Sequence, residues 1–248
     1  MSGSFEDRHR QRKRSREMEI IMDKVAPFVK PAGNIKVFEF GSGDGYQIPY
    51  LRRLGSVIAS DIYQSDYIKS RYPGINFVIC DVRTAPFALG SFNLIFANHV
   101  LEHIENISKA FSELKRIGKN DCVYVFTVPT SIWLLLSIPA QLYNGLRKVF
   151  KRISDMELRK KIETTDIEPK TWRRFLPRGH GWRKNFFDCF NSFKIENWEK
   201  LFREGNFDVV KKFPLLLYAP SEFPIIPTTE FLVRRGIYSS VVFIMRKT

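Results

Sequence analysis

Residues Val37 to Gly45, reading Val-Phe-Glu-Phe-Gly-Ser-Gly-Asp-Gly, constrain the fold of this chain more than any other segment. The β-branched and aromatic run reads as a buried strand, with a carboxylate, Glu39, near its end. Gly41, Gly43 and Gly45 then alternate through a turn into a helix expected over Ile48 to Leu54. Glycines at alternate positions let the backbone turn sharply and approach a ligand closely, because no Cβ intervenes. Dinucleotide-binding folds use similar turns, so the loop alone does not decide the ligand.

The strands after the loop narrow the choice. A second strand, Val57 to Ser60, ends at Asp61, placed to accept hydrogen bonds from a ribose diol. A third apolar run, Asn76 to Cys80, ends at Asp81 and Val82. A fourth, Ser91 to Asn98, closes with His99-Val100-Leu101-Glu102-His103-Ile104. A helix over Asn106 to Ile117 has Ile107, Phe111, Leu114 and Ile117 at spacings of three and four. Asp121 to Pro129 then reads as a fifth strand.

This series, over residues 37 to 129, resembles the class I S-adenosylmethionine-dependent methyltransferases, in the type 11 and type 23-like branch with the Leu-Glu-His turn. The resemblance implies an α/β, Rossmann-like fold: a seven-stranded mixed sheet of order 3-2-1-4-5-7-6, helices on both faces, the last strand antiparallel, and an insertion after strand 5. It implies S-adenosyl-L-methionine as cofactor. Glu39 and the Gly41, Ser42, Gly43, Gly45 loop would then hold the methionine moiety, and Asp61 the ribose hydroxyls, with Ile62 against one adenine face. Asp81 would accept from the adenine amino group, with Val82 flanking the ring, and Asn98 and His99 would border the transferable methyl.

Asn93 stands where the family commonly has an aspartate, at a position expected to support the strand edge. Metal-dependent O-methyltransferases need clustered carboxylates beyond the fourth strand, because a hard divalent cation takes oxygen ligands. The sequence shows no such cluster near Asn98, so no metal is expected.

The length suits one domain, 1–248, divided into a basic helical arm (1–34), a cofactor core (35–129), an apolar and basic insertion or lid (130–190) and a C-terminal part (191–248). Three cysteines without metal-type spacing fit a reducing compartment. The charged N-terminus lacks a signal-peptide pattern. The expected location is cytoplasmic, with peripheral contact at the inner membrane face as an option. Forty basic against 26 acidic residues give a formal charge of +14, which attracts polyanions without choosing among nucleic acid, anionic lipid and a phosphate-bearing acceptor.

In the arm, Arg8 to Arg16 is dense in cations, and Met18, Ile20, Ile21, Val25 and Phe28 recur at near-helical spacing before Pro31-Ala32-Gly33. It reads as a solvated arm or as a helix over the cleft. In the insertion, Ile132 to Ala140 is strongly apolar but too short to span a bilayer. A helix with Leu142, Leu146, Val149, Phe150 and Ile153 on one face comes next, ending among Arg147, Lys148, Lys151 and Arg152. Residues 132–153 therefore read as an interfacial membrane contact, a lid or a dimer face. Further cations run from Lys160 and Lys161 through Lys170, Arg173, Arg174 and Arg178 to Arg183 and Lys184.

The loop Pro177 to Phe187 sets His180 between glycines, with arginines and aromatics around it. Phe193, Ile195, Trp198, Leu201 and Phe202 suggest a helix ended by Gly205, followed by a sixth strand at Phe207 to Val210. Leu215 to Tyr218 and Tyr238 to Met245 read as closing strand material, joined through the proline-rich stretch Pro220 to Pro227. The region resembles methyltransferases acting on glycans, glycolipids and related small molecules. His180 is the leading candidate for a general base or substrate-orienting group, with His99 competing. His103 reads as a cap or support of its helix.

The sequence thus points to methyl transfer from S-adenosyl-L-methionine to a small-molecule or lipid-linked acceptor, such as a saccharide hydroxyl, at the cytoplasmic membrane face. An RNA methyltransferase is the alternative that the charge favours. A non-catalytic partner subunit on the same fold is a third, against which the intact cofactor motifs argue. The sequence leaves the oligomeric state open.

Overall fold

The structure is a computed structural model that describes residues 5–29, 34–139, 143, 180–182, 185–217 and 230–248, with residues 5–10 as backbone only. Its centre is a seven-stranded sheet: β1 Lys36–Phe40, β2 Ser56–Asp61, β3 Asn76–Ile79, β4 Phe92–Asn98, β5 Gly118–Pro129, β6 Phe207–Pro214 and β7 Ser240–Lys247. The order is β3-β2-β1-β4-β5-β7-β6, as expected, and β7 runs antiparallel to both its neighbours. The other pairings, β1 with β2 and β4, β2 with β3, and β4 with β5, are parallel.

The central strands carry apolar residues continuously because both faces of the sheet are covered, and their period of two sorts the side chains. Phe38, Phe40, Phe92, Ile95, Tyr124, Phe126 and Phe243 enter one core, with Phe111 of the helix α4 (Ile107–Ile117) and Trp198 and Phe202 of α7 (Ile195–Glu204). Val37, Val57, Leu94, Phe96, Val123, Val125, Val242 and Ile244 enter the other, under Met18, Ile21, Met22 and Val25 of α1 (Phe5–Val25). One face is thus predominantly aromatic and the other predominantly aliphatic, which accounts for much of the phenylalanine content. The α1 helix is therefore no free arm: its last three turns cover the sheet, and Arg14 pairs at 2.9 Å with the buried Glu17.

Several elements differ from the sequence reading. Helix α2 spans only Ile48–Leu51, and Arg53 and Leu54 then bond three residues back, as a tightening turn does. The turn leads to Gly55, where a Cβ would stand 2.1 Å from the carbonyl oxygen of Ile35. The expected helix at Phe193 is two helices, α6 (Phe186–Ser192) and α7, broken where Lys194 is extended. Strand β6 continues to Pro214 through a bulge after Val209. Leu215 to Leu217 is not strand, although Leu215 N–H still bonds Ser240. Asn93 accepts from Lys36 N–H and Lys119 Nζ, both at 3.1 Å, fastening the starts of β1, β4 and β5.

After β5, residues 131–139 form the helix α5. Leu134 and Ser137 are buried on it, and Trp133 packs against the aromatic core. Leu134 thus faces the core, and Leu135 alone of Leu134 to Leu136 is exposed. Among the described residues, no helix is long and apolar enough to cross a membrane. Lys30 to Gly33, the basic helical face over 142–153 apart from Tyr143, the cations from Lys160 to Lys184, and Tyr218 to Pro227 lie outside the described residues. The remaining helices are α3 (Asp66–Arg71) and α8 (Glu230–Arg234).

Phe243, wholly buried, touches Phe202 with ring centroids 5.0 Å apart. Phe243→Ala should lower unfolding stability by about 3–5 kcal/mol in urea titrations, through lost burial and a residual cavity. A loss under about 1 kcal/mol would show that the aromatic face does not hold β7 in place.

Candidate active site

The four parallel strands β3-β2-β1-β4 end together, and the connections leave β1 and β4 in opposite directions. Open α/β sheets bind ligands in the crevice at such a switch point. A cavity of about 600 Å³ lies there. It is lined by Phe40 and Gly41 after β1, by Ser60 to Tyr63 at β2, by Cys80 to Arg83 after β3, and by His99, Val100 and His103 to Glu105 after β4, with Trp182 at one side.

Gly41, the first residue of the glycine loop, lines one wall. Gly41, Gly43 and Gly45 all have left-handed φ, +70°, +52° and +75°. At Gly41 a Cβ would also come within 2.3 Å of Val100 Cγ2, so both conformation and space exclude a side chain. The loop is fastened to β2: Asp61 accepts Gly43 N–H at 2.9 Å on one carboxylate oxygen and Ile62 N–H at 2.7 Å on the other. Ser42 N–H bonds the Ser60 carbonyl at 3.0 Å, and Ser65 Oγ–H the Gly43 carbonyl at 3.2 Å.

Glu39 sits in β1 just before the lining residues. It is 1 % exposed and neither carboxylate oxygen has a protein partner. Burial, and secondarily the charge of Asp61, push its pKa up to about 8. Asn98 at the end of β4 is likewise buried, with both amide atoms unpartnered. Neither reaches the cavity lining, nor do Ser42, Gly43 and Gly45; Gly41, Asp61, Ile62, Asp81, Val82 and His99 do. Asp81 caps the 3₁₀ turn Val82–Thr84 and is gripped by Arg83, whose guanidinium holds the carboxyl below its usual pKa.

Beyond β4 the backbone turns sharply at His99, whose φ is +58°. Its side chain is 13 % exposed, with Nδ1 3.6 Å from Glu102 Oε1 and Nε2 3.3 Å from Ser240 Oγ. Burial first, then the cationic Arg14 and Lys13 of α1, push its pKa well below the usual histidine range. The 3₁₀ turn Leu101–His103 comes next. Glu102 is buried, with a pKa raised by desolvation to about 8. His180 does not line the cavity. Its ring packs edge-on against His103 and Trp133, centroids 4.8 and 4.6 Å away. The two histidine motifs, far apart in sequence, thus meet, and His103 stands between His180 and the cavity. Sequence reasoning passed over Tyr63, Arg83, Glu105 and Trp182 as cavity walls. The first three sit within four residues of a strand end or of the Leu-Glu-His turn, which is the signal that could have found them.

The methyltransferase domain family profile matches residues 38–126. No curated protein sequence matches the chain. Among solved structures, a SAM-dependent methyltransferase from Aquifex aeolicus is similar over 98 % of this chain and 100 % of its own, at 14 % identity and a TM-score of 0.53. One from Mesorhizobium loti covers 91 % and 96 %, at 12 % identity and 0.54. The 1,6-didemethyltoxoflavin-N1-methyltransferase of Burkholderia thailandensis, with S-adenosylhomocysteine bound, covers 94 % and 78 %, at 14 % and 0.51. Residues 38–126 thus match the methyltransferase domain family, and the chain shares the fold of these solved methyltransferases.

The solved structures from Aquifex aeolicus and Mesorhizobium loti are SAM-dependent, and the residues present in this chain fit S-adenosyl-L-methionine. The orphaned Glu39 carboxylate and the close-approach glycines suit an aminoacyl group, because an unpartnered buried carboxylate gains most from a cation. Asp61 keeps acceptor capacity after its two backbone bonds. Ile62, 72 % exposed at the cavity wall, offers an apolar face to a purine.

The charge on Glu39 gives a pH signature. In the empty site Glu39 holds a proton up to about pH 8. A bound ammonium favours the ionised carboxylate, so binding expels that proton below pH 8. Cofactor affinity should rise with pH by up to about tenfold per unit until about 8 and then bend, as read by calorimetry. Glu39→Gln should flatten the rise; an unchanged slope would remove Glu39 from the aminoacyl site. Gly41→Ala should weaken cofactor binding by at least about tenfold, through a strained φ and contact with Val100. Wild-type affinity in a folded variant would show that this wall is not used.

Proposed function

We propose that the chain transfers the methyl group of S-adenosylmethionine to a hydroxyl of a small-molecule or lipid-linked acceptor, a saccharide hydroxyl being the leading class, with His99 receiving the hydroxyl proton. The observation that carries this reading is the cavity itself. One end is walled by the glycine loop, Asp61 and Asp81, and the other by a histidine imidazole that burial keeps neutral.

When bound, the sulfonium supplies an activated methyl and a good leaving group, so no covalent enzyme intermediate is needed. The protein's part is position. The Gly41–Gly45 loop and Glu39 fix the aminoacyl end, Asp61 the ribose, and Asp81 with Val82 and Ile62 the base. Holding the acceptor in line with the methyl supplies most of the acceleration, with effective molarities up to about 10⁸ M in favourable cases. As the C–O bond forms the hydroxyl becomes acidic, and the His99 imidazole in the cavity wall receives the proton. Tyr63, Trp182 and α5 behind His180 belong to the walls that keep water out. The Burkholderia relative acts on a small heteroaromatic compound, and that precedent supports a small acceptor rather than a polymer. Leu134 and Ser137 of the insertion face the core, and the reading needs no membrane insertion.

His99→Gln should lower turnover by about 10²–10⁴-fold with cofactor affinity kept within about threefold, since general base catalysis contributes on that scale. Turnover at the wild-type level would remove His99 from proton transfer. Methyl transfer from labelled cofactor into extract fractions should place label in the soluble or lipid pools. Label confined to RNA would replace this acceptor class.

A further inference from the structure

We infer that Glu102, His103 and His180 form a site for a borderline divalent transition ion, for which Zn²⁺ is the probe. One ligand atom of each lies within 4.8 Å of those of the other two. Two imidazoles and one carboxylate are the donor set that such ions take, whereas Mg²⁺ prefers oxygen alone. The missing carboxylate cluster that argued against a metal in the sequence concerns the harder ion.

Two further observations point to a ligand. Glu102 is 2 % exposed, and its Oε2 has no partner. A buried carboxylate oxygen left without a donor is costly, and a cation is the partner that relieves it best. Arg14, whose charge reaches Glu102, is itself paired with Glu17. The second is how firmly His180 is brought to the turn that carries the other two. Gly181, at φ +71°, lies so close to the Glu102 carbonyl that a Cβ would stand 2.0 Å from its oxygen. His180 N–H bonds Cys189 Sγ at 3.1 Å and its carbonyl accepts from the same thiol at 3.3 Å. Trp133 backs the ring. These contacts fix the backbone and leave the imidazole nitrogens to a ligand, as supporting contacts do at metal sites.

Ligands on a tetrahedral ion at about 2.1 Å stand about 3.4 Å apart. Closing from the observed spacing needs only a side-chain adjustment, which the exposed His103 can supply. Three protein ligands leave one position open, the arrangement of ions that act on substrate rather than only on structure. His103 also lines the cavity, so the open position can face it. On the acceptor reading proposed above, the ion would polarise the hydroxyl whose proton His99 takes.

The test uses the full chain freed of metal with a chelator. Zn²⁺ titration by calorimetry should show one ion per chain, and Co²⁺ should give visible d–d absorption with imidazole ligation. His103→Ala, His180→Ala and Glu102→Gln should each weaken binding by at least about tenfold. His9→Ala should leave it unchanged. Circular dichroism and cofactor binding on the same samples report folding. If His180→Ala does not fold, the exposed His103 decides alone. Absence of Zn²⁺ binding, or binding that survives His103→Ala, overturns the site. Intact cofactor affinity in that sample would leave the methyl-transfer reading standing. Loss of cofactor binding with Zn²⁺ still held would do the reverse.

Discussion

The hydrogen bond from Gly43 N–H to the Asp61 carboxylate is the interaction on which the rest of the site depends. Three left-handed glycines in five residues have little to hold them in one shape, since each loses more freedom on ordering than any other residue. Asp61 supplies the restraint from the neighbouring strand and takes Ile62 N–H on its other oxygen. On the function proposed above, the carboxylate assigned to the ribose is thus also the one that shapes the glycine loop. A loop already ordered costs less to bind against. Glu39, buried one strand away with no partner, adds a charge that the fold alone leaves unsatisfied.

The two unequal cores explain how so exposed a set of strand ends stays in register. On the aromatic face, Phe38, Phe92 and Phe87 meet at 5.0 Å centroid distances, and Phe207 bridges Phe111 and Tyr124. Such pairs add about 0.5–1.5 kcal/mol each beyond area burial, and they favour particular ring angles. Trp198 Nε1 also donates to the Pro129 carbonyl at 3.1 Å, which ties α7 to the end of β5. The aliphatic face is covered by α1, so the same helix closes a core and carries Lys13 and Arg14 to the neighbourhood of His99.

The sheet was legible because its signals are local: an apolar run, an acidic residue at its end, a glycine turn. Asp61 and Asp81 could be placed at the cavity from sequence for that reason. The C-terminal part was less legible. Pro214 lacks an N–H, so the Leu215 to Leu217 run, apolar enough for a strand, leaves the ladder. The break at Lys194 has no proline or glycine to announce it. His180 could be singled out but not located, because its position depends on Gly181 meeting a carbonyl 79 positions earlier. The run Ile132 to Ala140 was ambiguous for a related reason: its composition is the same whether its tryptophan faces lipid or packs on a histidine.

His99 links these levels. A non-glycine residue in the left-handed region costs on the order of 1 kcal/mol or more, although histidine tolerates it better than most. Glycine would remove that cost, so the strained turn gains nothing from a side chain unless the side chain is used. The turn itself is what the topology requires. The chain must leave β4 beside the cavity, and His99 N–H still bonds Thr127 on β5 as it does so. The left-handed residue then bends Val100 against Gly41 and sets Leu101–His103 beside the cavity, within reach of Gly181. One backbone conformation therefore sets Val100 against Gly41, places His99 in the cavity lining and brings Glu102 and His103 beside His180. The strain lies where the glycine-loop side of the cavity meets the Leu101–His103 turn, and a change at His99 is felt on both sides.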